Sequence, residues 1–183
     1  MGRPSPRFLP TDEIRRAIVE VLALASPAGV RVVLIGGAAM QHYGSSRRTT
    51  NVDFATAAAI GGLAEGDPLA FGGYASTAPC GVPVNIVVRS DKYAGLYAQA
   101  VATAMQVASL AAPVVRPEEL AAMKMVAARD RDAIDFDHLI RAGVANLDRA
   151  VTLIEEHLGS YGAEVFARRV ERVEWQKHRE RGR

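Results

Sequence analysis

The sequence predicts an α/β fold, a sheet flanked by helices, followed by a helical C-terminal part. Three observations lead there. Residues 30–35 are nearly all apolar and β-branched, the composition of a central strand covered on both faces. Ahead of them, Ile14, Ala17, Ile18, Val21 and Leu22 recur at helical spacing. From Pro117 onward the segments read as helices, with no strand between them.

The elements follow in order. Residues 1–10 carry three prolines and basic side chains and are expected to form a loose arm. Thr11 is placed as the N-cap of the first helix, with Asp12 and Glu13 in its first turn, and Pro27-Ala28-Gly29 breaks that helix. After the strand at 30–35 comes a short helix at 38–43, closed by Gly44. Residues 45–50 form a polar, basic loop, and 52–55 the next strand. Residues 57–68 hold several glycines and show little periodicity. Residues 69–77 and 82–89 read as a hairpin around Pro79-Cys80-Gly81. A helix is expected over 93–107 and a short strand over 110–115.

Pro117 suits the first turn of a helix, followed by Glu118 and Glu119, and this helix is expected to run to about Arg129. Another spans 132–142 and ends at Gly143. Asn146 or Asp148 caps the next, to about Leu158, and the last begins near Tyr161 and runs into a basic tail. The chain therefore divides into an arm at 1–10, an α/β core at 11–115 and a helical region at 116–183.

Composition sets the class. At 183 residues one domain is expected, and 49% hydrophobic residues suffice for a full core. Aromatics are only 6%, so Ala, Val, Leu and Ile must fill that core. The net charge of +2 is unevenly spread, since the last 16 residues hold seven basic and three acidic side chains. The single cysteine, Cys80, excludes an internal disulfide and fits a reducing compartment. No apolar run is long enough to span a bilayer, and the first residues lack a signal-peptide core. A soluble, cytoplasmic protein without membrane attachment is expected.

The chemistry centres on Val33-Leu34-Ile35-Gly36-Gly37-Ala38-Ala39-Met40. Glycines that end a strand and open a helix gather backbone N–H groups and the positive helix end into a phosphate cradle. Gly-Gly by itself also fits an ordinary strand–turn–helix. Asn51 and Asp53 stand at alternate positions of the next strand and should point the same way. Asn85 interrupts the apolar strand Val84-Asn85-Ile86, and a buried amide without a partner costs about 1–3 kcal/mol. Asn85 should therefore have a partner or a role.

A second group of residues lies from Lys124 to Asp135. Lys124 and Arg131 are two turns apart, Arg129 falls near a helix end, and Asp132 and Asp135 open the following helix. Lys and Arg beside a phosphate cradle would add charge-assisted hydrogen bonds. Taken alone, the same residues also fit a solvated helix face with an N-capping aspartate. His42, His138 and His157 lack metal spacing, and Cys80 has no histidine near it, so no zinc site is expected. The basic tail fits a solvated helix with Glu–Arg pairs, or a surface that tracks a phosphate backbone.

Together these motifs resemble the nucleotidyltransferase superfamily, the DNA polymerase beta-like group, and within it the toxin-like AbiEii-type branch. The glycine pair is followed by Arg47-Arg48-Thr49, similar to an Arg-x-Thr motif, and then by Asn51-Val52-Asp53 in an acidic–apolar–acidic frame. Lys124, Arg129, Asp132 and Asp135 are similar to the later basic and Asp-x-x-Asp motifs of that branch. The resemblance covers about residues 30–143 and implies a mixed sheet flanked by helices. It implies transfer of a nucleotide from an NTP, with Mg2+, to RNA, tRNA or a protein such as an antitoxin. It assigns Asp53, Asn51 and Asn85 to the metal positions, and Gly36, Gly37, Arg47, Thr49, Lys124 and Arg129 to the nucleotide, with Lys124 also catalytic.

The chain departs from the pattern at two of the three metal positions, where Asn51 and Asn85 replace carboxylates. Mg2+ prefers hard, charged oxygen ligands. The substitutions imply an impaired enzyme that holds metal weakly or only through the nucleotide. The alternatives are a nucleotide-binding pseudoenzyme acting as a regulatory or partner protein, and an adaptor that keeps only the fold.

Overall fold

The computed structural model describes residues 7–110 and 112–181. In chain order the strands are β1 (Val32–Ile35), β2 (Val52–Thr56), β3 (Tyr74–Thr77), β4 (Pro83–Val87), β5 (Met105–Val107) and β6 (Ala112–Val114). The α-helices are α1 (Thr11–Ala25), α2 (Gly36–His42), α3 (Ala94–Thr103), α4 (Pro117–Ala127), α5 (Asp130–Ala142) and α6 (Leu147–Arg181). The strands form one mixed sheet in the order β3-β4-β2-β1-β6-β5.

β1 is buried at all four positions, as its unbroken β-branched and aliphatic run requires. β2 runs antiparallel to it with Ile35 opposite Asp53, and β4 runs parallel to β2 with Asp53 opposite Asn85. This register brings the end of β1, the start of β2 and the middle of β4 to one place. α1 turns Ile14, Ala17, Ile18 and Val21 inward, the face its spacing predicts. Phe136 and Phe166 meet edge to face at 5.5 Å and join α5 to α6.

The first turn of α4 ties the end of α3 to the start of α6. Glu118 and Glu119 are buried there. Glu118 accepts from the Asn146 N–H at 2.7 Å, and Glu119 accepts from the Thr103 hydroxyl at 2.9 Å and from Arg149 at 2.7 Å. Asn146 in turn caps α6 through its bond from the Arg149 N–H.

Several expected boundaries move. The helix expected over 93–107 stops at Thr103, because Met105–Val107 pairs with β6 as an edge strand. The strand expected from residue 69 begins at Tyr74. Residues 69–73 instead form a turn with positive φ at Gly72 and Gly73, where a Cβ on Gly73 would lie 1.9 Å from the Ile86 carbonyl oxygen. α2 begins at Gly36 rather than Ala38, so both glycines lie in its first turn. α4 ends at Ala127, and Ala128 adopts the left-handed conformation. Pro10, not Thr11, is the N-cap of α1. The break expected between Leu158 and Tyr161 does fall there, at Gly159 of α6, with φ 79° and ψ 174°.

Residues 1–6 of the expected arm lie outside the described residues. Its last part is held rather than loose. The Leu9 N–H donates to the Thr49 carbonyl at 2.8 Å, and Arg48 lies 4.2 Å over the Phe8 ring.

Candidate functional site

The end of β1 makes the first wall of a cleft of about 490 Å³. Gly36 has φ 63°, a conformation costly for any residue with a side chain. A Cβ there would lie 2.1 Å from Asp53 Oδ2, so the carboxylate rests directly on the Gly36 backbone. A Cβ on Gly37 would lie 2.8 Å from the Thr49 hydroxyl. Two glycines in succession thus let both Asp53 and the basic loop close onto the start of α2.

The loop at 45–50 is tied down by its own polar groups. Gln41 Nε2 donates to the Arg47 carbonyl at 2.8 Å, and the Thr49 hydroxyl donates to the Asn51 carbonyl at 2.8 Å. Arg47 reaches the cleft and pairs with Asp135. Thr49, by contrast, is buried behind the wall and positions the loop.

Opposite stands the α4–α5 turn. Lys124 is buried, and its Nζ donates to Asp132 Oδ1 at 3.0 Å and Asp135 Oδ2 at 2.6 Å. Arg129 Nε donates to Asp132 Oδ2 at 2.5 Å. Arg47, Asp135, Lys124, Asp132 and Arg129 therefore form one chain of alternating charge linking the basic loop to both helices. Burial alone would raise the Asp132 carboxyl, but hydrogen bonds and charge from Arg129 and Lys124 hold it below the usual range. The same bond, against the opposing effect of burial, raises the Arg129 guanidinium.

No protein-family model matches the sequence, and no curated protein matches it. Solved structures do. A putative nucleotidyltransferase from H. pylori superimposes with a TM-score of 0.52 at 15% identity, covering 92% of this chain and 93% of that one. The fold is nucleotidyltransferase-like. Two further structures align at a TM-score of 0.48. One is an antigenic nucleotidyltransferase-like protein from Paracoccidioides brasiliensis, at 15% identity over 86% of this chain and 94% of that one. The other is the antibiotic-resistance factor ANT(2'')-Ia, at 14% identity over 92% and 97%. At these identities the likeness concerns the fold.

Within this nucleotidyltransferase-like fold, the three residues assigned by resemblance to metal come together. Asn51 Nδ2 donates to Asp53 Oδ1 at 2.6 Å, and Asn85 Nδ2 donates to the same oxygen at 2.8 Å. A divalent cation needs oxygens turned toward it, with negative charge to offset its own. Here two amide N–H groups take the lone pairs of the one carboxylate oxygen they share. No group of three or more His, Cys, Asp or Glu side chains suited to a metal exists among the described residues. The donor set as arranged does not fit a Mg2+ site.

The structure also adds residues that motif reading missed. Arg89, Phe71, Tyr93 and Tyr97 line the cleft, as does Arg131, which the sequence already set beside Lys124. One signal for Arg89 was present in the sequence, since Asn85, Val87 and Arg89 alternate along β4 and its extension and so share a face. Burial raises the Tyr97 phenol, against the opposing pull of Arg89. No helix among the described residues is long and apolar enough to cross a membrane.

Proposed function

We propose that the chain binds a nucleoside triphosphate in this cleft, and that its own nucleotide transfer is impaired. One observation carries the reading: a basic wall faces a carboxylate whose expected metal partners are two hydrogen-bonding amides. Arg47, Lys124, Arg129 and Arg131 stand against Asp132 and Asp135, leaving an excess of positive charge for a polyphosphate. Gly36 and Gly37 allow close backbone approach, and Arg47, Lys124 and Arg129 are assigned to the triphosphate. Asp132 and Asp135 act as positioning residues that hold these cations in place. Nucleotidyl transfer depends on in-line positioning and on charge neutralisation at the phosphates. The first is supported by the rigid basic wall. The second is weakened by Asn51 and Asn85.

The acceptor is assigned by resemblance to the toxin-like branch, as RNA, tRNA or an antitoxin-like protein. A second reading, a nucleotide-binding pseudoenzyme that regulates a partner, is favoured by the two bonds from Asn51 and Asn85 to Asp53. Calorimetric titration with each NTP, with and without Mg2+, tests both readings. It is to be run on the natural chain and on the Asn51→Asp, Asn85→Asp variant. The natural chain is expected to bind NTP with little Mg2+ dependence, and the variant to acquire that dependence together with transfer of labelled nucleotide to RNA. Absence of NTP binding by the natural chain overturns the assignment. Robust transfer by the natural chain overturns the impairment.

A further inference from the structure

The end of the cleft beyond Asn85 has a chemistry unlike the basic wall. The Arg89 guanidinium lies 5.0 Å from the Tyr97 ring centre, 5.3 Å from Tyr93 and 5.7 Å from Phe71. Its edge is occupied by Asp91, with Nε to Oδ1 at 3.0 Å and Nη2 to Oδ2 at 2.5 Å. Asp91 also accepts from the Tyr93 N–H at 3.1 Å, so the fork is built into the approach to α3. Arg89 is thereby matched in charge, and this end presents aromatic surface with one further cation, Lys92, 5.0 Å from the Tyr93 ring centre. Arg131 at the other wall has no ion-pair partner among the described residues. Aromatic rings thus gather around Arg89, and the ion-paired cations gather around Asp132 and Asp135.

Two further features point the same way. Phe71 is 37% exposed although it is large and apolar. It is held at the cleft by the left-handed turn at Gly72 and Gly73, whose backbone presses against β4. Arg89 also lies four residues past Asn85 along the extended chain, about 13 Å at ~3.3 Å per residue. That separation suits the reach from the phosphates of a nucleotide to its base. We propose that Phe71, Arg89, Tyr93 and Tyr97 form a nucleobase pocket at the end of the cleft, in which a planar base stacks on the rings and the buried Arg89 holds them in place. The inference rests on reading the cleft as a nucleotide site, and it adds which part of the ligand goes where. The base belongs either to the bound NTP or to the terminal nucleotide of an RNA strand.

The test titrates each NTP, sodium tripolyphosphate and a short oligoribonucleotide without a 5′-phosphate into the natural chain, Phe71→Ala and Phe71→Trp. Phe71 packs at the surface, and thermal melting confirms that both variants fold. The natural chain is expected to bind at least one NTP about tenfold more tightly than tripolyphosphate, the scale of one stacked base. Phe71→Ala should lose that margin and Phe71→Trp keep it, with tripolyphosphate affinity equal in all three. A loss confined to the oligoribonucleotide assigns the base to the RNA strand. The pocket is overturned if NTP binds no better than tripolyphosphate and oligoribonucleotide binding ignores Phe71. If neither NTP nor tripolyphosphate binds the natural chain, the proposed function fails by itself. The base pocket is then decided by whether Phe71→Ala weakens the oligoribonucleotide.

Discussion

Asp53 rests on Gly36: a Cβ at Gly36 would lie 2.1 Å from Asp53 Oδ2, and Gly36 itself has φ 63°. The glycine is needed twice, for its backbone and for its missing side chain. Gly29 has the same φ of 63° with nothing within 4 Å of an added Cβ. Gly29→Ala is expected to cost about 1 kcal/mol through the backbone alone. Gly36→Ala should cost clearly more and displace Asp53. Urea unfolding of the two variants measures the difference, and equal losses would remove the contact as a cause.

Asn51→Asp with Asn85→Asp replaces two N–H···O bonds, at 2.6 and 2.8 Å, by close oxygen–oxygen contacts. Three carboxylates at that spacing repel. Without divalent metal the variant is expected to melt lower than the natural chain, with about 2 kcal/mol lost per bond. Added Mg2+ should restore the melting temperature and raise transfer activity, each ~1.4 kcal/mol of transition-state stabilisation giving tenfold. A variant that melts unchanged, with or without Mg2+, would show that these side chains do not meet.

Lys124→Met leaves the carboxylates of Asp132 and Asp135 facing each other without their shared ammonium. Removing one partner from a buried ion pair costs about 3–5 kcal/mol, more than most single substitutions. The variant is therefore expected to lose stability as well as NTP affinity. Adding Asp135→Asn should recover part of the stability and none of the affinity. Chemical denaturation and calorimetry on the single and double variants separate the two effects.

Asp132 links stability to acid. Its carboxyl is held below the ordinary value of 3.8 by Arg129 and Lys124, despite burial. A depressed folded-state pKa contributes stability that is complete above the unfolded value and is lost as pH falls through the folded one. Unfolding free energy should thus decline below about pH 4, and Asp132→Asn should show a shallower decline over that range. Identical slopes in the two proteins would mean that other carboxylates govern acid unfolding.

Local chemistry made much of the fold legible in the sequence. The β-branched run of β1, the turn around Gly81, the helical face of α1, Pro117 opening α4 and Gly143 closing α5 all act through near neighbours. What failed was non-local. Residues 105–107 continue a helical-looking, alanine-rich segment, yet they form β5 because β6 offers hydrogen bonds that a further turn of helix would not replace. Residues 69–73 read as strand until the backbone of β4 crowds Gly73.

The candidate site divides along the same line. Strand periodicity set Asn51 and Asp53 on one face beside Gly36 and Gly37, and the resemblance to the nucleotidyltransferase pattern added Asn85 and Lys124 to the same expected cleft. Their partners were not readable, because hydrogen bonds and ion pairs depend on distances that only packing sets. Sequence spacing offered Lys124 no acidic neighbour, while the folding of α5 back onto α4 supplies Asp132 and Asp135. Arg89 was the basic last residue of an expected strand until α3 and the turn at residues 69–73 brought three aromatic rings around it. Residue type and order are local and belong to the sequence. Which charge is answered by which partner, and which plane faces which ring, were decided by tertiary structure alone.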